Sequence, residues 1–412
     1  SGSGPVARST VMRAVDETST TGRERHAAVV GVGVVAPGAK DTRAFWRTIM
    51  ERHDRIGDLP KSRFDVERFV RASSDVGAIL RTRLAATVDV PDDVARADGD
   101  PAAWLACTAA REAMSDAFGV DETGALRAAV ASDRIGVYLG QLPFRFDEAA
   151  LEKRVLFASH MRMTEEALLE ADVDPAVAAR IRRRAWAAFD GETRRLSAAS
   201  FDATSGFRTA HAVAQAIGAD GPIVALDAAC ASALAALHEG LSALRRGHID
   251  VAVCGGVAFH LLPEYYMALS ILSVLSPHAA PPFSTQSDGF VPGEGAGCVV
   301  LVRREDAERH GRRVRAVVRG VGMSSDGRGL SVFAPRVEGQ IASLRRGLED
   351  AAVAPNDVDF IEAHGTGTRA GDDCELRSYA SVYGDRDPLR PVTIGAVKSQ
   401  IGHLSSAAGA VG

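Results

Sequence analysis

The chain has 412 residues, of which 46% are hydrophobic, 25% charged and 6% aromatic, with 40 glycines; this is the make-up of a large α/β protein. A formal net charge of −5 supplies no strong field toward nucleic acid or an anionic membrane. No run reaches the roughly 18 uninterrupted apolar residues of a membrane span, and no secretory leader is read at the start.

Residues 1–25, opening SGSGPVARST, read as a tag remnant or flexible tail. AAVVGVGVV (27–35) predicts a buried strand, and DTRAFWRTIME (41–51) a helix capped by Asp41. PAAWLACTAAREAMSDAF (101–118) predicts a second helix and RIGVYLG (134–140) a second strand. The stretch 145–200 is long, helical in period and arginine-rich, and reads as an insertion covering one face. Strands are then expected over IVALD (223–227), VAVCGGV (251–257), GCVVLV (297–302), VRAVVRGVGM (314–323), DFIEAH (359–364) and VTIGAV (392–397). Helices are expected over 230–247 and 338–353. Such alternation implies a mostly parallel, doubly covered sheet. Each half carries a strand, a small-residue turn, a helix and another strand. This rhythm suggests a duplicated, layered α/β fold, with halves over 26–260 and 261–412.

The cysteines are Cys107, Cys230, Cys254, Cys298 and Cys374, odd in number and without a C-x-x-C pair. A disulfide framework or zinc site is not expected, and a reducing cytoplasm is the natural setting. Cys230 sits at a strand-to-helix corner in VALDAACASAL, where backbone N–H groups and the helix dipole would lower a thiol's pKa. Small free cysteines also serve as core filler. Four more segments carry chemistry-bearing residues. His364 ends a strand before a flexible loop in EAHGTGTRAGDDCEL, and Lys398 and His403 flank a turn in VKSQIGHLSSAAGAVG. PPFSTQSDGFVPGEGAGCVVL (281–301) is a glycine-punctuated loop, and SSDGRG (324–329) invites a tight turn. GEGAG (293–297) has no P-loop lysine after it and reads as structural. One cysteine and two histidines suit acyl transfer, the thiolate attacking a thioester while imidazole N–H groups stabilise the oxyanion. A Cys–His pair alone would equally fit a hydrolase.

DAACASAL, EAHGTGT and KSQIGH, in this order and spacing, resemble the β-ketoacyl synthase (ketosynthase) domains of polyketide and fatty-acid synthases. The likeness runs from about residue 26 to the last and includes RFD (63–65). Within the family, SSDGRGLSVFAPRVEGQ, GTGTRAGDDCEL and VKSQIGHLSSAAG resemble iterative type I systems, nearest the polyunsaturated-fatty-acid synthases, with enediyne systems close behind. The resemblance implies a five-layered αβαβα thiolase fold with two pseudo-duplicated halves, and a homodimer. It implies that Cys230 takes the acyl chain from the phosphopantetheine arm of an acyl carrier protein. His364 and His403 would bind the malonyl thioester and drive loss of carbon dioxide. Lys398 would orient the His364 side through an ion pair with Glu375, and Gly365, Thr366 and Thr368 would form the substrate loop. No cofactor or metal bound by the domain is implied. The implied partners are the carrier protein and neighbouring synthase domains, with Arg180–Arg184 and Arg194–Arg195 as candidates for the carrier's acidic face; nucleic acid and membrane are not expected.

Two histidines, rather than histidine with asparagine or cysteine, separate decarboxylating condensation from thiolases and starter synthases, and the retained cysteine separates the chain from chain-length factors. Three departures from the family pattern stand out. Pro281 and Ser284 replace the arginine and aspartate of an R-P-F-D segment, which implies altered loop packing, and 202–216 lacks the usual spelling before the nucleophile strand. The family also has a further segment, ending in a G-G-T-N-A-H type turn that supplies a second oxyanion donor, so the chain is expected to be a fragment truncated at its end. The alternatives are a catalytically silent dimerisation scaffold of the same fold and a Cys–His thioester hydrolase.

Overall fold

The computed structural model describes residues 26–67, 80–92, 94, 100–120, 130–142, 146–192, 206–329 and 334–412. The strands are β1 (Ala27–Val35), β2 (Gly57–Asp58), β3 (Leu84–Ala85), β4 (Ile135–Gln141), β5 (Ile223–Leu226), β6 (Val251–Ala258), β7 (Gly295–Arg303), β8 (Ala316–Val318), β9 (Phe360–Glu362) and β10 (Thr393–Gly395). The α-helices are α1 (Thr42–Met50), α2 (Pro101–Phe118), α3 (Phe146–Glu170), α4 (Pro175–Glu192), α5 (Phe207–Ile217), α6 (Ser232–Arg245), α7 (Pro263–Ile271), α8 (Arg304–Arg309), α9 (Val337–Ala351), α10 (Arg369–Tyr383), α11 (Lys398–Ile401) and α12 (Ala408–Val411). Asp41 caps α1 as expected, its carboxylate accepting the Ala44 N–H at 2.7 Å.

Six strands form the main sheet in the order β5-β4-β6-β7-β1-β8. The expectation of a mostly parallel sheet needs correction. β4 is parallel to β5 and β6, but β7 lies between β6 and β1 and is antiparallel to both, as β8 is to β1. Four strands therefore run one way and two the other. Alternation of strands and helices cannot register this, because β7 enters from a long loop rather than a covering helix.

Close packing explains the small residues. At Gly33 of β1 a β-carbon would lie 2.0 Å from the Ala109 carbonyl oxygen, so the helix backbone can rest directly on the strand. The facing Ala106, Ala109, Ala110 and Ala113 of α2 are fully buried. With α5, this helix covers one face of the sheet around Leu105, Met114, Val137 and Val213. α6 covers the other face through Ala236, Leu241 and Leu244, against Tyr138 and Cys254. Beyond α6, the β9 and β10 strands pair in parallel, and α9 and α10 pack outside them through Leu344, Leu348, Tyr379 and Tyr383. The result is the layered αβαβα arrangement, with α6 and α12 in the middle layer: α12 approaches Leu234 of α6 at Gly409, and Gly412 just after it approaches Glu362 of β9.

Glu294 of the GEGAG loop confirms the structural reading of that motif. It is fully buried, accepts two hydrogen bonds from Arg63 at 2.9 Å and takes the Val88 N–H at 3.3 Å. Arg63 also lies 4.8 Å over the Phe259 ring. A buried carboxylate so paired pins the loop before β7 to Arg63 and the Val88 backbone.

The helical reading of the insertion holds, but the expected cover over a face does not. α3 and α4 pack on each other through Phe157, Trp186 and Phe189, the two phenylalanine rings stacking at 4.2 Å. Among the described side chains of α3 only Met161 is buried. The arginine-rich α4 has no apolar stripe broad enough to seat the pair on the sheet. An ion pair from Lys153 to Glu264 of α7, at 3.1 Å, tethers them.

Candidate active site

Cys230 stands where β5 gives way to α6. Asp227 accepts the Ala229 N–H at 2.9 Å. Ser232 Oγ accepts the Ala228 N–H at 2.9 Å and donates to the Ala229 carbonyl at 2.6 Å. These bonds hold Ala229 at φ +50°, a left-handed conformation unusual for a residue with a β-carbon. The strained corner raises the half-buried Cys230 above the strand end, where α/β folds bind ligands.

His364 occupies the matching place after β9. Glu375 of α10 is buried and accepts three hydrogen bonds: from the His364 N–H at 2.6 Å, the Gly365 N–H at 2.8 Å and the Tyr379 hydroxyl at 2.5 Å. It therefore fixes the turn that carries His364. The loop continues through Gly365 and Gly367 at positive φ, and the Thr366 and Thr368 hydroxyls bond each other at 3.1 Å.

Lys398 begins α11, just past β10, and is buried. The expected ion pair with Glu375 is not formed: among the described residues no Lys398–Glu375 contact lies within 4.0 Å. Lys398 Nζ instead lies 3.4 Å from the Ala363 carbonyl, on the residue before His364. Glu375 is committed to backbone donors, so the lysine acts on the site as a nearby charge.

His403 is buried, its backbone bridging the loop before GEGAG: its N–H donates to Val291 at 2.7 Å and its carbonyl accepts from Gly293 at 2.9 Å. Nδ1 accepts the Ser405 N–H at 2.9 Å. Since that nitrogen must offer a lone pair, the neutral ring carries its proton on Nε2. The following turn reaches the cysteine because β6 has glycine at 256, where a β-carbon would lie 2.3 Å from the Ser406 carbonyl oxygen.

Three distant segments thus converge. The Cys230 sulfur and one ring nitrogen each from His364 and His403 lie within 4.8 Å of one another. The histidine rings meet edge to face at 5.4 Å, and Phe290 tilts against His403 at 4.9 Å. Such a set resembles a metal cluster, but the Lys398 ammonium beside it opposes a bound cation.

The electrostatics favour neutral groups. Burial pushes the His403 pKa well below the ordinary 6.5, helped by His364 and Lys398. The protein crowded around His364 lowers its pKa to about 4, with the Lys398 charge second, although one side of that ring stays open to water. Cys230 departs from expectation. Burial raises its thiol pKa, and the Lys398 charge and its own backbone N–H only partly oppose this. Desolvation of the thiolate thus outweighs the nearby charge and the hydrogen bond that favour it.

Sequence reasoning missed Asp372, Ser405, Tyr265 and His260. Asp372 accepts the Gly367 N–H at 3.1 Å, the Phe283 N–H at 2.7 Å and the Ser287 hydroxyl at 3.0 Å. It thereby joins the GTGT loop to the loop with Pro281 and Ser284, where altered packing is expected. Its place in AGDDCEL, three residues before Glu375, is the signal that was available. Ser405 had none beyond its nearness to His403. In SSDGRG the turn forms with Gly327 at φ +62°. Arg180, Arg182, Arg183 and Arg184 lie exposed on α4; Arg194 and Arg195 fall outside the described residues.

Comparison with known proteins agrees with this geometry. The family description "Beta-ketoacyl synthase, N-terminal domain" matches residues 24–307, and "Beta-ketoacyl synthase, C-terminal domain" matches 315–412. A phenolphthiocerol/phthiocerol polyketide synthase of Mycobacterium tuberculosis is 34% identical over 93% of this chain and 23% of its own length. Pikromycin polyketide synthase component PikAIII of Streptomyces venezuelae is 42% identical over 48% of this chain and 13% of its own. The chain thus spans about a quarter or less of these curated relatives. Among solved structures, the oxazolomycin ketosynthase domain OzmH KS7 of Streptomyces albus aligns with TM-score 0.74 and 28% identity, covering 93% of this chain and 61% of that one. The ketosynthase from module 6 of the Bacillus subtilis bacillaene synthase gives TM-score 0.69 and 26% identity, covering 93% of this chain and 59% of that one. The AntDE:AntF complex, described as a type II acyl-carrier protein with its ketosynthase, shares the fold at TM-score 0.72 and 23% identity, over 94% of this chain and 84% of that one. With both halves of the fold matched over nearly its whole length, the chain belongs to the β-ketoacyl synthase family, as a type I polyketide synthase ketosynthase domain.

Proposed function

We propose that this domain carries out decarboxylative Claisen condensation, extending a polyketide or polyunsaturated lipid chain by two carbons. The observation that carries the reading is the convergence of one sulfur and two imidazole nitrogens within 4.8 Å. The Cys230 thiolate attacks an acyl thioester delivered on the phosphopantetheine arm of a carrier protein; the new C–S bond forms as the carrier thiol leaves. A malonyl thioester then enters, and the neutral imidazoles donate to its carbonyl oxygen. The C–C bond to the carboxylate breaks, carbon dioxide departs, and the electron pair stays as an enolate stabilised by those donors. The enolate carbon attacks the acyl-Cys230 carbonyl and the C–S bond breaks, freeing the thiolate. Glu375 and Asp372 hold the His364 loop. Lys398 supplies positive charge beside the thiolate, offsetting the burial that disfavours it.

The acyl carrier protein and neighbouring synthase domains are the partners this chemistry needs, in keeping with the polyketide synthase relatives. A homodimer is proposed on the family resemblance, and β5, an edge strand of the main sheet, is suited to pair across it. No helix among the described residues is long and apolar enough to cross a membrane. The five free cysteines fit a cytoplasmic setting. A silent scaffold would not need Cys230 and both histidines together, and a hydrolase would not need the second histidine.

The test is mass spectrometry of the protein after incubation with an acyl carrier thioester, alongside release of carbon dioxide from malonyl carrier protein. The reading expects an acyl adduct on Cys230 and evolution of carbon dioxide. Free acid without decarboxylation would indicate a hydrolase, and neither event a scaffold.

A further inference from the structure

Next to the convergent triad lies a buried polar group that condensation does not use. His260 follows the end of β6 by two residues, at the same end of the main sheet as Cys230. It is 3% exposed, and its Nε2 has no hydrogen-bond partner among the described residues. A nitrogen buried without a partner is costly to the fold, so its persistence asks for a ligand. The Tyr265 ring stands edge to face on it at 4.4 Å. The Tyr265 hydroxyl in turn donates to Ser405 Oγ at 3.4 Å, and Ser405 holds His403. The two side chains therefore form a polar strip linked through Ser405 to His403. Burial keeps His260 neutral, with its pKa lowered to about 4, and burial likewise raises the Tyr265 pKa to about 12, the Ser405 hydrogen bond opposing this and the charge of Cys230 adding to it.

We propose that His260 and Tyr265 form a polar subsite for a hydroxyl group near the thioester end of the acyl chain on Cys230, making the domain selective for hydroxylated over fully reduced chains. The choice of a hydroxyl follows from donor and acceptor matching. A neutral imidazole nitrogen is a donor in one tautomer and an acceptor in the other. A hydroxyl, which does both, complements either tautomer. A keto oxygen complements only one, and a methylene leaves Nε2 unpaired. No cationic side chain belongs to the strip, so it has no counter-charge for a carboxylate. The inference rests on the ketosynthase reading above.

The test compares transfer of hexanoyl and 3-hydroxyhexanoyl groups from their N-acetylcysteamine thioesters to Cys230, followed by intact-protein mass spectrometry. In each transfer the Cys230–acyl bond forms as N-acetylcysteamine leaves. The subsite predicts a roughly tenfold preference for the hydroxylated chain, the ratio that about 1.4 kcal/mol supplies. His260→Leu and Tyr265→Phe should each bring the ratio toward one. The ratio is internal to each variant, so a fold that lowers both rates does not disguise the answer. A wild-type ratio near one, or a preference that neither substitution moves, overturns the subsite. Absence of any Cys230 adduct from either chain overturns the ketosynthase reading, and the subsite with it.

Discussion

At one end of the six-stranded sheet Asp250 sits between Arg134 and Arg303. Arg134 grips it twice, at 2.9 and 3.0 Å, and Arg303 bonds it as well. The Arg134 hydrogen bonds, followed by those of Arg303, hold its carboxyl down to about 2. At the other end Cys230, His364 and His403 share a small space in which burial works against every charged form. The same fold thus uses its ionisable groups in two ways. Where charges are paired and partly wet they stay on and tie strand ends together. Where they are crowded together, burial favours their neutral forms, even though one side of the His364 ring stays open to water. Position relative to partner and solvent, rather than residue type, decides which.

Each substitution below presses on one side of that contrast. The largest effect is expected from Cys230→Ala, which should lower acyl transfer by about 10⁴ or more, read as loss of the adduct. Next is Glu375→Gln. Replacing a buried carboxylate that accepts from two backbone N–H groups and a tyrosine should cost about 2 kcal/mol of stability and lower transfer roughly tenfold to a hundredfold, seen in a denaturant midpoint and a rate together. Asp250→Asn should cost about 1–2 kcal/mol, discounted for its partial exposure, while acyl transfer persists. The sign follows from its lowered pKa: the contribution is present above the ordinary value of 3.8 and is lost as the pH falls toward about 2, so wild type and variant should converge in acid. The smallest effect is expected at Lys398→Met. Removing the charge that opposes the raised Cys230 pKa should slow thiol alkylation at pH 8 a few-fold. Equal stability for Asp250→Asn and wild type across pH, or faster alkylation in Lys398→Met, would break the contrast.

Much of this was legible in the sequence, and the reasons differ by element. β1 and α2 match their expected ranges because an unbroken Val/Gly run and an alanine-rich segment after an Asp-Pro cap signal themselves locally. The strand–corner–helix unit around Cys230 and the strand and loop at His364 were readable for the same reason. The antiparallel insertion of β7 was not, since strand direction depends on where a loop returns. Nor does the division at residue 260 follow the sheet, which takes β7 and β8 from beyond it. At the candidate site, the three convergent groups were visible as motifs. The replacement of the Lys398–Glu375 ion pair by backbone hydrogen bonds was not, because spacing along a chain does not reveal which donor a carboxylate will meet. The raised thiol pKa was hidden likewise: burial is a property of the assembled fold, whereas a helix start is visible in the string.

The proposed mechanism needs the two imidazoles to act as neutral donors that drive decarboxylation without the thiol. The direct measurement is release of carbon dioxide from malonyl carrier protein by the Cys230→Gln variant, with and without an added His364→Ala substitution. Continued release from the first variant and its loss in the second is the predicted result. If release stops when the cysteine alone is replaced, or continues unchanged when His364 is removed, the proposed division of labour is contradicted.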